Sequence, residues 1–102
     1  MVYQQGDVLF VRVERARGKP VVRDPQRGVV FAEGEATGHA HVTLDEGVTL
    51  LKDDDMLYAS ADSPFVVVHE EHGRVEVPAG DYEIRRVREY DHFAEEARRV
   101  AD

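Results

Sequence analysis

The stretch that decides the fold is Pro64-Phe-Val-Val-Val-His69. Its core is a run of β-branched and aromatic residues bounded on one side by proline, the composition of a strand. Side chains alternate across a strand, so Phe65, Val67 and His69 share one face and Val66 and Val68 the other. Both faces are apolar, so this strand must be covered on both sides. Val8–Glu14 repeats the pattern, with Leu9, Val11 and Val13 on one face and Val8 and Phe10 on the other.

Working outward, the period of two recurs along most of the chain. Strands are expected at Gly28–Ala32 and His39–Leu44, with a flexible loop at Glu33–Gly38 between them. Val48–Lys52 and Met56–Ser60 flank the acidic turn Asp53-Asp-Asp55, and Pro64–Glu70 and Arg74–Val77 flank Glu71-His-Gly73. Gly73 suits a left-handed position closing that second hairpin. Arg15–Lys19 reads as a turn, and Pro20-Val-Val-Arg23 at best as a short edge strand, because proline cannot donate to a ladder. After the turn Pro78-Ala-Gly80, Asp81–Tyr90 reads as a long final strand. From Asp91 the period becomes helical: Phe93, Ala97, Val100 and Ala101 recur on one face, Asp91 can cap the first turn, and Glu95 and Arg99 form an i,i+4 pair. Tyr58, Tyr82 and Tyr90 read as packing residues with polar tips at the surface. Arg85, Arg86 and Arg88 read as partners of Glu83, Glu89, Glu95 and Glu96. The expected architecture is mostly β, a small antiparallel β-barrel or sandwich over residues 1–90, with one short C-terminal helix over 91–102 docked on it.

At 102 residues the chain fits one small domain. Hydrophobic residues make up 42% and charged residues 33%, which excludes a disordered tail. No apolar run approaches the roughly 20 residues of a membrane helix, so no membrane partner is expected. The net charge of −8, from 21 acidic against 13 basic residues, argues against nucleic-acid binding, which needs clustered positive charge. Met1–Asp7 lacks the basic and apolar regions of a signal peptide, so the expected location is cytoplasmic. There is no cysteine, so a metal site has to be built from imidazole and carboxylate.

Four of the five histidines fall in two tight pairs, Gly38-His39-Ala40-His41 and His69-Glu70-Glu71-His72. Residues two apart on a strand share a face about 6.5–7 Å apart. His39 and His41 can therefore converge on one ion, with Ala40, Val42 and Leu44 forming the opposite apolar face. His69 ends an apolar strand, and a turn that folds back carries His72 toward it. Glu70 is expected on the face opposite His69, while Glu71 in the turn can act as ligand, ligand-orienting group or base. Against this stands the plain alternative of a solvated polar face. His92 stands alone and reads as a capping or surface residue. Asp53-Asp-Asp55 lacks the ligand spacing of a calcium loop.

The pattern as a whole resembles a group of small uncharacterised bacterial proteins, on the strength of Gly6-Asp-Val8, Gly34-Glu-Ala-Thr-Gly-His-Ala-His41, His69-Glu-Glu-His72, Pro78-Ala-Gly-Asp-Tyr82 and Arg88-Glu-Tyr90. That resemblance implies no particular activity. A second, partial resemblance is to the cupins, small β-barrels: Gly34, His39, His41 and Glu46 resemble their first motif, and Pro78-Ala-Gly80 the frame of their second. The chain departs from the cupin pattern in having Glu83 where the second-motif histidine falls and a Gly-to-His spacing one residue short. The cupin likeness implies that His39, His41 and Glu46 line a barrel interior.

The leading functional expectation is a metal-binding protein with a divalent transition ion on His39, His41, His69 and His72. Imidazole sites suit zinc, iron, nickel or copper, with zinc first. Three histidines and an open position would allow catalysis through a metal-bound water acting on a small-molecule substrate, with Glu71 taking a proton; four in a closed tetrahedron would be structural. The alternative is a non-catalytic protein-interaction module with a histidine surface patch. A metal-free enzyme using Thr37 or Thr43 is least favoured, because no spacing supplies an orienting third group. A thin core and exposed strand edges are compatible with a homodimer.

Overall fold

The computed structural model describes residues 1–34, 38–87 and 92–101. The strands are β1 (Val2–Gln5), β2 (Val8–Val13), β3 (Lys19–Pro20), β4 (Val29–Glu33), β5 (Ala40–Thr43), β6 (Val48–Asp53), β7 (Met56–Ala61), β8 (Phe65–Val67), β9 (Val75–Val77) and β10 (Gly80–Arg86), followed by helix α1 (His92–Ala101). One antiparallel sheet runs β1-β2-β10-β7-β6-β3. The other layer consists of the hairpins β4–β5 and β8–β9. Val42 and Val68 stitch these hairpins together with two backbone hydrogen bonds of 2.8 and 3.0 Å.

The barrel alternative is not what forms. The six-stranded sheet ends at β1 and β3, which do not pair with each other, so it stays open and faces the hairpins as a sandwich. The reason lies partly in β3: it has two residues, and its Pro20 has no N–H to extend a ladder.

Between the layers Val8, Phe10, Leu50 and Tyr82 meet Phe31, Phe65, Val67 and Val77, all buried. Phe10 sits edge-on to Phe31 at 4.9 Å between ring centroids and to Phe65 at 6.0 Å. The outer face of β1 and β2 is the second apolar face expected for β2. There Val2 and Leu9 pack on Ala94 and Ala97 of α1, with Phe93 alongside. The helix is thus held through its alanines, and the Phe93 ring lies under the Arg85 guanidinium at 4.8 Å.

Several sequence expectations need correction. β1 was not anticipated. Its pairing with β2 through the tight turn Gly6-Asp7 puts Val2, Gln4 and Gln5 in the sheet. Tyr82 is fully buried, tip included, because its hydroxyl donates to Pro78 O at 2.8 Å. Arg86 pairs with Asp7 rather than with a glutamate carboxylate, at 2.7 Å. Gly73 is not left-handed; its carbonyl matters instead, as described below. The centre of the 33–38 loop, Thr37 included, lies outside the described residues, as do Arg88, Glu89, Tyr90, the Asp91 cap and the side chains of His92 and Arg99. No helix among the described residues is long and apolar enough to cross a membrane.

Candidate metal centre

The stitch between Val42 and Val68 sets the geometry of the site. In an antiparallel pair the register continues in opposite directions along the two chains. Continuing outward from Val42 and Val68 sets His41 across from His69, Ala40 across from Glu70 and His39 across from Glu71. The side chains follow that order. The His41 and His69 ring centroids are 4.3 Å apart, the Ala40 N–H donates to Glu70 Oε1 at 2.9 Å, and His39 Nδ1 lies 3.7 Å from Glu71 Oε1. His72 closes the group, 4.6 Å from His69 and 5.8 Å from His41 between centroids. Two imidazoles on one tetrahedral zinc put their centroids roughly 5 Å apart, so these spacings suit convergence.

All four imidazoles and Glu71 line one open cleft of about 440 Å³, together with Gly6, Asp7, Gly34 and Arg86. A larger cleft, about 580 Å³, lies along β10 and shares Arg86 with it but carries no imidazole. The imidazoles converge in the smaller one, which makes it the candidate site. Ligating atoms of His39, His69 and Glu70 all lie within 4.8 Å of one another.

His41 is the most constrained of the four, with 1% of its surface exposed. The buried Gln5 amide donates from Nε2 to Val67 O and to Gly73 O, each at 3.0 Å. Its Oε1 is therefore left as an acceptor, and His41 Nδ1 donates to it at 2.9 Å. A neutral His41 must then carry its proton on Nδ1 and its lone pair on Nε2. Burial, reinforced by the neighbouring His69, lowers its pKa to about 4, so the ring is neutral near pH 7. Nε2 faces Asp7 Oδ1 at 3.6 Å, beyond hydrogen-bond length. Partial burial pushes the Asp7 carboxyl up, but the hydrogen bond and charge of Arg86 outweigh it and hold the group below its usual range. Glu70 is also held below its usual range, chiefly by the Ala40 N–H. The Glu71 N–H donates to His69 Nδ1 at 3.0 Å, which puts the proton of neutral His69 on Nε2. Coordination through Nδ1 would displace that bond, and coordination through Nε2 would require the proton to move.

The structure thus brings together His39, His41, His69, His72 and Glu71. His69 neighbours both members of the first pair, 4.3 Å from His41 and 5.7 Å from His39 between ring centroids. Leu44, expected on a packed apolar face, is 66% exposed, while Thr43 is fully buried on the His41 side of β5. The Thr43 hydroxyl tolerates this because it is hydrogen-bonded to Asp45. Glu70 turns toward the site rather than away from it, because β8 ends at Val67 and strict alternation ends soon after the Val68 bridge. Glu46 is exposed in the turn after β5 and is not among the residues lining the cleft. Sequence reading missed Gln5, Asp7 and Arg86. The only signal was that Gly6-Asp7-Val8 belongs to the recurring motif frame, which names no role.

Fold and cleft together define an antiparallel β-sandwich with a histidine- and carboxylate-lined surface site. The chain belongs to the family described as a domain of unknown function, DUF8820, whose model matches residues 4–87. That span includes every cleft residue named above and stops short of α1. No curated protein and no solved structure matches the chain.

Proposed function

We propose that this protein binds a divalent transition-metal ion, zinc first, in the histidine cleft. The observation that supports it most is the convergence of two separate histidine pairs across the Val42–Val68 stitch, with His39, His69 and Glu70 close enough to share one ion. His41 and His72 stand beside that triad. The preset lone pair on His41 favours this reading over an interaction patch, where a buried, amide-locked imidazole would have no role. Iron, nickel and copper suit the same donors. An ion held there supplies Lewis-acid activation of water or of a small-molecule substrate. Glu71, exposed and 3.7 Å from His39, is placed to accept a proton at the mouth of the cleft.

The test is elemental analysis of protein purified without a histidine tag, followed by zinc titration. Tight binding that His39→Ala/His69→Ala abolishes, with the fold retained by circular dichroism, is the expected result. A protein that takes up no zinc, iron, nickel or copper refutes the proposal and leaves the interaction module.

A further inference from the structure

The cleft offers more donors than one tetrahedral ion uses. Four imidazoles line it, and three carboxylates, Asp7, Glu70 and Glu71, reach it or its ligand triad. They also fall into two places. His39, His69 and Glu70 satisfy a common 4.8 Å spacing, and among the described residues His41 and Asp7 fall outside that group. His41 Nε2 and Asp7 Oδ1 instead face each other at 3.6 Å. A lone pair and a carboxylate oxygen repel unless something positive lies between them. Two donors on one tetrahedral zinc are about 3.4 Å apart, so this gap has the width of one coordination edge.

Both donors are also aimed from outside. Gln5 presets the His41 tautomer, and Arg86 Nη1 holds the other Asp7 oxygen at 2.7 Å, leaving Oδ1 to point at His41. Arg86 is itself anchored by donating to Glu33 O at 2.6 Å. Such outer hydrogen bonds are what orient the ligands of a metal site. His72 belongs to this side: its ring lies nearly parallel to His41, at 14°, and rests against the Gly6 backbone beside Asp7.

We propose that the cleft holds a second divalent cation next to the first, bound by His41 Nε2, Asp7 Oδ1 and His72. The proposal rests on the reading of His39, His69 and Glu70 as a metal site. The His41 and His69 ring centroids are 4.3 Å apart, so the two positions are neighbours, as the ions of paired-metal centres are.

Cobalt(II) titration of the tag-free protein, read by calorimetry and by electron paramagnetic resonance, tests it. The expected result is two equivalents with a spin-coupled signal, falling to one uncoupled equivalent in Asp7→Asn. Asp7 is about half exposed, so this variant should fold, and circular dichroism checks that it does. Arg86→Gln serves as a second variant and should weaken only the second equivalent, by roughly 10–100-fold. One equivalent in the wild type, or two that Asp7→Asn leaves intact, overturns the second site while the first stands. No uptake by the wild type overturns both.

Discussion

The aromatic core and the histidine cleft are made by the same strands, yet they obey different physics. β8 sends Phe65 and Val67 into the core, and the chain just beyond it carries His69 into the cleft. The β1–β2 hairpin gives Val8 and Phe10 to the core and Gln5 and Asp7 to the site. In the core the attraction is non-directional, so any register that buries the apolar face serves. In the cleft every contact has a direction: Gln5 to His41, Arg86 to Asp7, the Ala40 N–H to Glu70. Damage to the core should therefore show as lost stability, and damage to the cleft as lost or misdirected binding.

The largest effect expected is in the core. Phe10→Ala removes a fully buried ring that touches both Phe31 and Phe65, and should cost about 3–5 kcal/mol. Urea denaturation measures it. Loss of only a few tenths would mean that the core is not the main source of stability. Next comes a cleft residue whose burial weighs on stability, in acid, almost as heavily as a core ring does. His41 titrates near 4 when folded against about 6.5 when unfolded, so between those values the unfolded chain binds a proton that the folded chain does not. Stability of the metal-free protein should therefore fall as pH drops from about 6.5 to about 4, by roughly 3 kcal/mol from this group. His41→Gln should flatten that segment of the profile. An unchanged profile would mean that His41 is not buried in its neutral form.

The same contrast decides what could be read without coordinates. The core was legible because alternation in Val8–Val13 and Phe65–Val67 reports burial directly, whatever the partner strand. The four histidines were legible as a group because two pairs stand out against a chain with no cysteine. Their relative placement was not, because it depends on the Val42–Val68 bridge, a contact between strands that carries no local signature. Glu70 was misplaced because alternation was extended beyond the end of β8, where the backbone no longer obeys it. Gln5 and Asp7 were invisible for a further reason: they sit in and after a short first strand with only two hydrophobic residues, Val2 and Tyr3, and their roles come entirely from partners distant in sequence. Barrel and sandwich stay undivided in the sequence because closure is a property of the two edge strands, and edges do not show in a hydrophobic pattern.

Gln5→Leu probes the boundary between the two regions. It puts an apolar side chain of similar size beside the core and removes the amide that joins Val67 O, Gly73 O and His41 Nδ1. Stranding these groups should cost about 2 kcal/mol. Affinity for the second equivalent of metal should fall roughly 10–100-fold, because the His41 tautomer is no longer preset. If the stability loss appears with affinity unchanged, His41 takes no part in binding, and the cleft's function rests on His39, His69 and Glu70 alone.

The smallest effect on stability, and the sharpest separation of the two regions, is expected at Gly6. Its φ of +57° is left-handed, so Gly6→Ala should cost about 1 kcal/mol in backbone strain. The added methyl also meets the His72 ring, with Nε2 only 2.6 Å from the new carbon. His72 is exposed and can swing away, so the clash should be relieved by moving the imidazole rather than by unfolding. The core, built from other residues, should keep its packing. The variant should thus show a urea midpoint lowered by no more than that strain implies, about 0.5–1 M, and an altered His72 ring resonance by NMR, with weaker binding on the Asp7 side of the cleft. A His72 resonance that does not move would show that this ring does not rest on the β1–β2 turn, and would detach it from the site.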